Sequence, residues 1–94
     1  GRKNEKINVA IVDDNEKIIS NICDKLSDDS EIEVVGKATN GEEAYDMIKK
    51  NNPDVVILDL IMPKMDGLEV MERVRNNGRR KKPAFIVIYI MMAV

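Results

Sequence analysis

The chain has 94 residues, 44% hydrophobic and 34% charged, which is typical of one small globular domain. Its formal net charge of −2 gives no electrostatic reason to bind nucleic acid or an anionic membrane surface. It contains no histidine, which excludes Ser-His-Asp and Cys-His catalysis and most zinc sites, and its single cysteine, Cys23, cannot form an internal disulfide.

Neither a signal peptide nor a transmembrane span is expected. Residues 1–6 are short and charged, and the longest apolar runs, including 84–94, fall well short of the roughly 20 residues that cross a bilayer. We therefore expect a cytoplasmic protein without membrane contact.

Strand-like and helix-like segments alternate along the chain. The pattern predicts strands at 7–12, 32–38, 55–58 and from 84 onward, and helices at 15–26, 42–50 and 67–77. The predicted buried faces are Ile18, Ile22 and Leu26, with Ile19 and Cys23 beside them; Ala44, Met47 and Ile48; and Leu68, Met71 and Val74, with Val70 beside them. This alternation, with short connections, predicts an α/β fold with a doubly wound parallel sheet.

Acidic residues follow two of the predicted strands. Asp13 and Asp14 follow the first strand, and Asp59 ends the apolar run of the third, before the turn signals Met62-Pro63 and Asp66-Gly67. In the sheet order 2-1-3-4 these two strands are neighbours about 5 Å apart, so the carboxylates should meet at the carboxyl edge of the sheet. The alternatives are a strand end that reaches water at Asp59 and helix capping after the first strand.

Three adjacent carboxylates raise one another's pKa unless a cation lies between them, and Mg²⁺ is the usual partner of such hard oxygen ligands. A metal-clamped aspartate can attack phosphorus and carry an acyl phosphate. The chain has neither a Gly-x-x-x-x-Gly-Lys-Ser/Thr loop nor a Gly-x-Gly-x-x-Gly motif, which disfavours nucleotide binding.

Three motifs together resemble the response-regulator receiver domain of two-component signalling: Val12-Asp13-Asp14-Asn15, residues 58–63, and Met65-Asp66-Gly67. More narrowly, segments 40–43 and 54–67 resemble the receiver of the master sporulation regulator of endospore-forming Firmicutes. The resemblance covers about 7–88. It implies a flavodoxin-like receiver over 1–94, incomplete at the C-terminus without a fifth strand and the last helices, and with no effector domain.

The resemblance also implies roles for individual residues. Asp59 is expected to be the phosphoacceptor, Asp14 a direct Mg²⁺ ligand, Asp13 a partner acting largely through metal-bound water, and Ile61 a ligand through its main-chain carbonyl. Tyr89 stands at the switch position, where receivers carry Ser or Thr, and the family's lysine has no counterpart in the chain.

A histidine kinase or histidine phosphotransfer protein is the partner that the family implies, which suits a chain without histidine. The protein is then no enzyme beyond its own phosphotransfer and aspartyl-phosphate hydrolysis, and it contacts DNA only through an effector domain, to switch a sporulation regulator. The alternative is a truncated, largely inactive receiver fragment that self-associates as a dimer through the apolar run 84–94. An aspartyl phosphatase is disfavoured, because position 61, where a second acid is usual, is Ile.

Overall fold

The computed structural model describes residues 5–60, 62, 66–76 and 82–88. In these ranges the elements are β1 (Ile7–Val12), α1 (Glu16–Leu26), β2 (Ile32–Ala38), α2 (Gly41–Asn51), β3 (Val55–Asp59), α3 (Gly67–Arg75) and β4 (Ala84–Ile88). The four strands form one parallel sheet in the order β2-β1-β3-β4. The predicted doubly wound α/β fold and its strand order are confirmed. No helix of the described ranges is long and apolar enough to cross a membrane.

Each face of the sheet has its own hydrophobic core. The core between the sheet and helices α2 and α3 consists of Ala10, Val12, Ala38, Ala44, Ile48, Val56, Leu58, Met62, Val70 and Val74. The core between the sheet and α1 consists of Val9, Ile11 and Ile19. Half-buried residues pack around it, including Ile22, Cys23, Leu26, Val55 and Ile57. Because successive strand residues point to opposite faces, a sheet covered on both sides requires the unbroken apolar runs of β1 and β3.

Helices α1 and α2 bury the predicted sides with small differences. Ile19, predicted only as a flanking residue, is the buried side chain of α1, while Ile18 and Ile22 are half-buried. In α2, Ala44 and Ile48 are buried, as predicted.

Helix α3 buries Val74, as predicted, together with the flanking Val70, but its buried face is rotated away from Leu68. Val70 and Val74 are buried and Met71 is half-buried, whereas Leu68 is 56% exposed. Gly67 abuts the end of β3, and a helix that presents position 67 inward also presents positions 70 and 74, about one and two turns later. Position 68 is then turned outward, so the prediction that Leu68 faces the core is wrong.

Strand β2 contains a bulge at Val35. Val34 pairs with Val9 and Gly36 pairs with Ala10, which leaves Val35 as an extra residue opposite β1. The Val35 carbonyl oxygen accepts a hydrogen bond of 2.8 Å from the side-chain amide of Asn51 in α2. Helix α2 therefore supplies the partner for a carbonyl that the bulge removes from the regular ladder.

Candidate functional site

Strands β1 and β3 end side by side, and each is followed or ended by acidic residues. Val12 pairs with Leu58, so Asp13 and Asp59 are the next residues of the two strands. One carboxylate oxygen from each of Asp13, Asp14 and Asp59 lies within 4.8 Å of the others. The structure thus brings together the three carboxylates that the sequence predicts at this edge.

Asp13 is the buried member of this acidic cluster, with 2% of its surface exposed. Its backbone N–H donates to the Ala38 carbonyl oxygen at 3.1 Å, and its Oδ1 accepts a hydrogen bond of 2.9 Å from the Asn15 N–H. Burial raises the pKa of the Asp13 carboxyl above its ordinary value of 3.8, because the charged form loses hydration. The Asn15 N–H lowers that pKa in part, and the neighbouring Asp59 and Asp14 raise it again.

The other two acids face outward to different degrees. Asp14 is exposed and Asp59 is half-buried. The cluster therefore combines one desolvated carboxylate with two that water, an ion or a phosphoryl group can reach.

Helix α1 begins directly after the cluster, and its cap is Asn15. The Asn15 side-chain oxygen accepts hydrogen bonds from the N–H groups of Lys17, at 2.9 Å, and Ile18, at 3.4 Å. Capping therefore accounts for Asn15, and Asp14 lies outside this role. Helix capping does not explain the pair of acids before it.

The main chain after Asp59 is held from two sides. The Leu60 N–H donates to the Ile88 carbonyl oxygen at 3.0 Å, and the Leu60 carbonyl oxygen accepts from the Gly67 N–H at 2.9 Å. The end of β3 is therefore fastened both to β4 and to the start of α3.

Two predicted site positions, Ile61 and Tyr89, lie outside the described residues. The sequence predicts the three acids of the cluster but not the contacts that Asn15 and Gly67 make with two of them. Asn15 is an N-cap candidate and Gly67 a turn residue by type. Their contacts with Asp13 and Asp59 depend on where the helices start against the strands, which spacing alone does not give.

The cluster suits a magnesium ion. With Mg–O distances of 2.0–2.1 Å, ligand oxygens around an octahedral ion lie about 2.9 Å apart when adjacent and about 4.2 Å when opposite. The oxygens of the cluster lie within 4.8 Å of one another, so small side-chain movements suffice to reach this range. The carboxylates are hard ligands of the kind that Mg²⁺ prefers, and Asp13, Asp14 and Asp59 fit the predicted ion.

Comparison with known proteins agrees with the receiver resemblance of the sequence. The model of the response regulator receiver domain matches residues 9–92, most of the chain. This chain belongs to the response regulator receiver family. The receiver fold and family predicted from the sequence are confirmed, while the narrower resemblance to sporulation receivers stays a prediction.

Known relatives of this receiver differ in what they carry beyond it. The protein-glutamate methylesterase/protein-glutamine glutaminase 1 of Methanospirillum hungatei JF-1 is 42% identical over 76 residues, which span 81% of this chain and 22% of that protein. The signal receiver domain of the response regulator NarL from Mycobacterium tuberculosis is 33% identical with a TM-score of 0.83, covering 95% of this chain and 70% of that one.

A second similar structure contains a partner. It is the complex of the P1 domain of CheA3 with CheY6 from R. sphaeroides, matched at 29% identity and a TM-score of 0.77, over 90% of this chain and 64% of that one. Receiver likeness therefore extends over nearly the whole of this chain, and this receiver spans a small part of its methylesterase relative.

Proposed function

We propose that this receiver accepts a phosphoryl group on Asp59 from a histidine of a partner protein, with Mg²⁺ held by Asp13, Asp14 and Asp59. The observation that carries the proposal is the convergence of these three carboxylates at the carboxyl end of two adjacent strands. The receiver family match over residues 9–92 supports it.

Asp59 is the best placed of the three acids to react. Asp13 is buried, and one of its carboxylate oxygens accepts the Asn15 N–H, so it is the least accessible of the three acids. Asp14 lies beyond the end of β1 and is exposed. Asp59 is half-buried, at the end of a strand that pairs with a neighbour on either side.

In the proposed transfer, an Asp59 carboxylate oxygen forms a bond to phosphorus as the bond from phosphorus to the donor's imidazole nitrogen breaks. The nitrogen keeps the electron pair of the broken bond. Mg²⁺, when bound, neutralises the negative charge that the carboxylates and the phosphoryl oxygens bring together. Asp13 and Asp14 hold the ion beside Asp59 and so set the side from which the phosphoryl group arrives.

The protein itself is the substrate in this scheme. We propose no turnover of another substrate, only transfer onto Asp59 and hydrolysis of the aspartyl phosphate. The donor is a histidine kinase or histidine phosphotransfer protein in the cytoplasm. The chain itself has no histidine, and the complex of the CheA3 P1 domain with CheY6 supports such a partner.

The proposal is tested with acetyl phosphate or beryllofluoride in the presence of Mg²⁺, followed by intact and peptide mass spectrometry. We expect one phosphoryl group or one beryllofluoride per chain, on Asp59, dependent on Mg²⁺ and absent from Asp59→Asn. The matched control is Asp54→Asn, which changes the acid at the other end of β3 and should still be labelled. A label on any other residue, or on Asp59→Asn protein, contradicts the proposal.

A narrower proposal concerns the output, a switch acting on a DNA-binding sporulation regulator through an effector domain. It is supported by the sequence of segments 40–43 and 54–67. If this receiver replaces the receiver of such a regulator in an endospore-forming Firmicute, spore formation should be preserved. The same replacement carrying Asp59→Asn should abolish it. Spore counts equally low for both exchanges contradict this output.

Self-association through residues 84–94 is a second candidate, although the family match favours the first. On β4, Ile86 and Val87 point to opposite faces of the sheet and are 55% and 41% exposed. Among the residues that the structure describes, β4 pairs only with β3. Light scattering across a dilution series should show a dimer. A monomer at high micromolar concentration contradicts it.

A further inference from the structure

We propose that Gly67 is a positioning residue for the phosphoacceptor, because it allows α3 to begin against the main chain of Asp59. It fixes the strand end from which the Asp59 side chain faces Asp13 and Asp14. This inference rests on the proposed function, since it concerns the geometry of the same site.

Main-chain atoms closely surround position 67. A Cβ there would lie 2.6 Å from the Asp59 carbonyl oxygen, 2.9 Å from the Leu60 Cα and 3.2 Å from the Leu60 carbonyl oxygen. All three are main-chain atoms, which cannot rotate away as a side chain can. Any residue other than glycine at position 67 must therefore push the end of β3 and the start of α3 apart.

Hydrogen bonds at this contact transmit such a shift to Asp59. The Gly67 N–H donates to the Leu60 carbonyl oxygen at 2.9 Å, and the Leu60 N–H donates to β4 at 3.0 Å. Asp66 caps α3 by accepting the Glu69 N–H at 3.0 Å and so fixes where the helix begins. The peptide that follows Asp59 is thus held between a capped helix and a neighbouring strand.

The size of the shift decides its effect on the site. To reach the ordinary contact distance of 3.4 Å from a starting distance of 2.6 Å, the main chain must move by about 0.8 Å. Metal and catalytic constellations tolerate about 0.5 Å of misplacement. Magnesium demands near-ideal octahedral geometry, so a shift of this size at Asp59 should weaken binding rather than be absorbed.

Gly36 provides a matched control within the same chain. A Cβ at Gly36 would lie 2.5 Å from the Met47 Sδ and 2.9 Å from the Asn51 Nδ2. These atoms, and the Met47 Cγ at 2.8 Å, belong to side chains, which can rotate as main chain cannot, and Gly36 lies in β2, which contributes no acid to the cluster. The same substitution, Gly to Ala, therefore meets an even closer contact that can give way.

The experiment compares wild type, Gly67→Ala and Gly36→Ala by calorimetric Mg²⁺ titration, by the rate of Asp59 modification with acetyl phosphate and by urea unfolding. We expect Gly67→Ala to lower Mg²⁺ affinity by about 10- to 100-fold, as loss of a supporting contact does in metal sites, and to slow modification by a similar factor. Gly36→Ala should leave both values within about twofold of wild type. Wild-type Mg²⁺ affinity and rate in folded Gly67→Ala would overturn the inference.

A second pair of variants keeps the test decisive if Gly67→Ala does not fold. Asp66→Ala removes the cap of α3 without adding a clash, and Asp66→Asn keeps a capping oxygen. We expect Asp66→Ala to have a lower Mg²⁺ affinity than wild type, and Asp66→Asn to have about the wild-type affinity. Equal affinities in both variants and wild type would overturn the inference. If wild type itself is not modified on Asp59, the proposed function fails; if wild type is modified and these variants match it, only the positioning role fails.

Discussion

Strand β3 is bounded by two aspartates that the fold uses in opposite ways. At its start, Asp54 accepts a hydrogen bond of 2.8 Å from the Asn8 N–H through Oδ2, while its own N–H donates to the Asn8 carbonyl oxygen at 2.8 Å. Its carbonyl oxygen accepts from the Ala84 N–H at 2.9 Å. Asp54 therefore ties β1, β3 and β4 together at one end of the sheet.

At the other end of β3, Asp59 lies beside two further acids. The cluster contains three carboxylates, of which Asp13 accepts a hydrogen bond of 2.9 Å from the Asn15 N–H. At one end of β3 a carboxylate accepts a backbone N–H of β1, and at the other end three carboxylates bring together negative charge that favours a cation. Neighbours across the sheet, rather than the residue type, therefore separate an acid that ties strands together from one that lies in a cluster suited to a cation.

The largest effect on stability should come from Asp54. Asp54→Ala leaves the Asn8 N–H without its carboxylate partner, and we expect a loss of about 2 kcal/mol in the free energy of unfolding. Asp59→Asn should cost far less or even stabilise, because it removes one charge from a repelling cluster. Urea unfolding of both variants without Mg²⁺ measures the difference. Equal losses at the two ends would remove the distinction between them.

Magnesium should stabilise the protein through the acidic cluster and not through Asp54. Because the ion binds the folded cluster, Mg²⁺ at tenfold excess over its dissociation constant should add about 1.4 kcal/mol to wild-type stability and raise Tm. Asp14→Ala should abolish that rise, while Asp54→Asn, which lies outside the cluster, should retain it. A thermal melt with and without Mg²⁺ is sufficient. The same response in Asp14→Ala and wild type would eliminate the metal site.

A smaller effect is expected in the pH dependence of the metal-free protein. The pKa of Asp13 is raised in the folded state, chiefly by burial, so above its ordinary value of 3.8 the folded chain holds a proton that the unfolded chain has lost. This contribution is fully present below pH 3.8 and disappears as pH rises through the raised pKa.

Asp13→Asn has no proton to lose at this position. From about pH 4 upward, the unfolding free energy of wild type should therefore fall relative to that of Asp13→Asn as pH rises. Saturating Mg²⁺ should reduce the difference, since the ion compensates the buried charge of wild type. Parallel pH profiles without Mg²⁺ would show that Asp13 titrates as an ordinary carboxyl.

Much of this fold is contained in local patterns. The apolar runs of β1 and β3 specify a sheet covered on both faces, and the acids that follow them specify where the cluster forms, because parallel strands end at the same edge. The rotation of α3 is not local: Leu68 and Val70 are equally apolar, and the contact of Gly67 with the end of β3 is a long-range feature that favours Val70 as the buried residue. The tie made by Asp54 is hidden for the same reason, since its partner is 46 residues away.

The bulge at Val35 acts as a one-residue frameshift within β2. Before it, Ile32 and Val34 point to the α1 side of the sheet; after it, Gly36 and Ala38, at the same alternate spacing, point to the α2 side. The even-numbered residues of β2 therefore face one core before the bulge and the other core after it. Deleting Val35 would make the pairing with β1 regular and leave Ala38, still paired with Val12, in the core it now fills. The register beyond the bulge places the Ala38 carbonyl oxygen against the Asp13 N–H, so the end of β2 meets the chain where the acid pair begins.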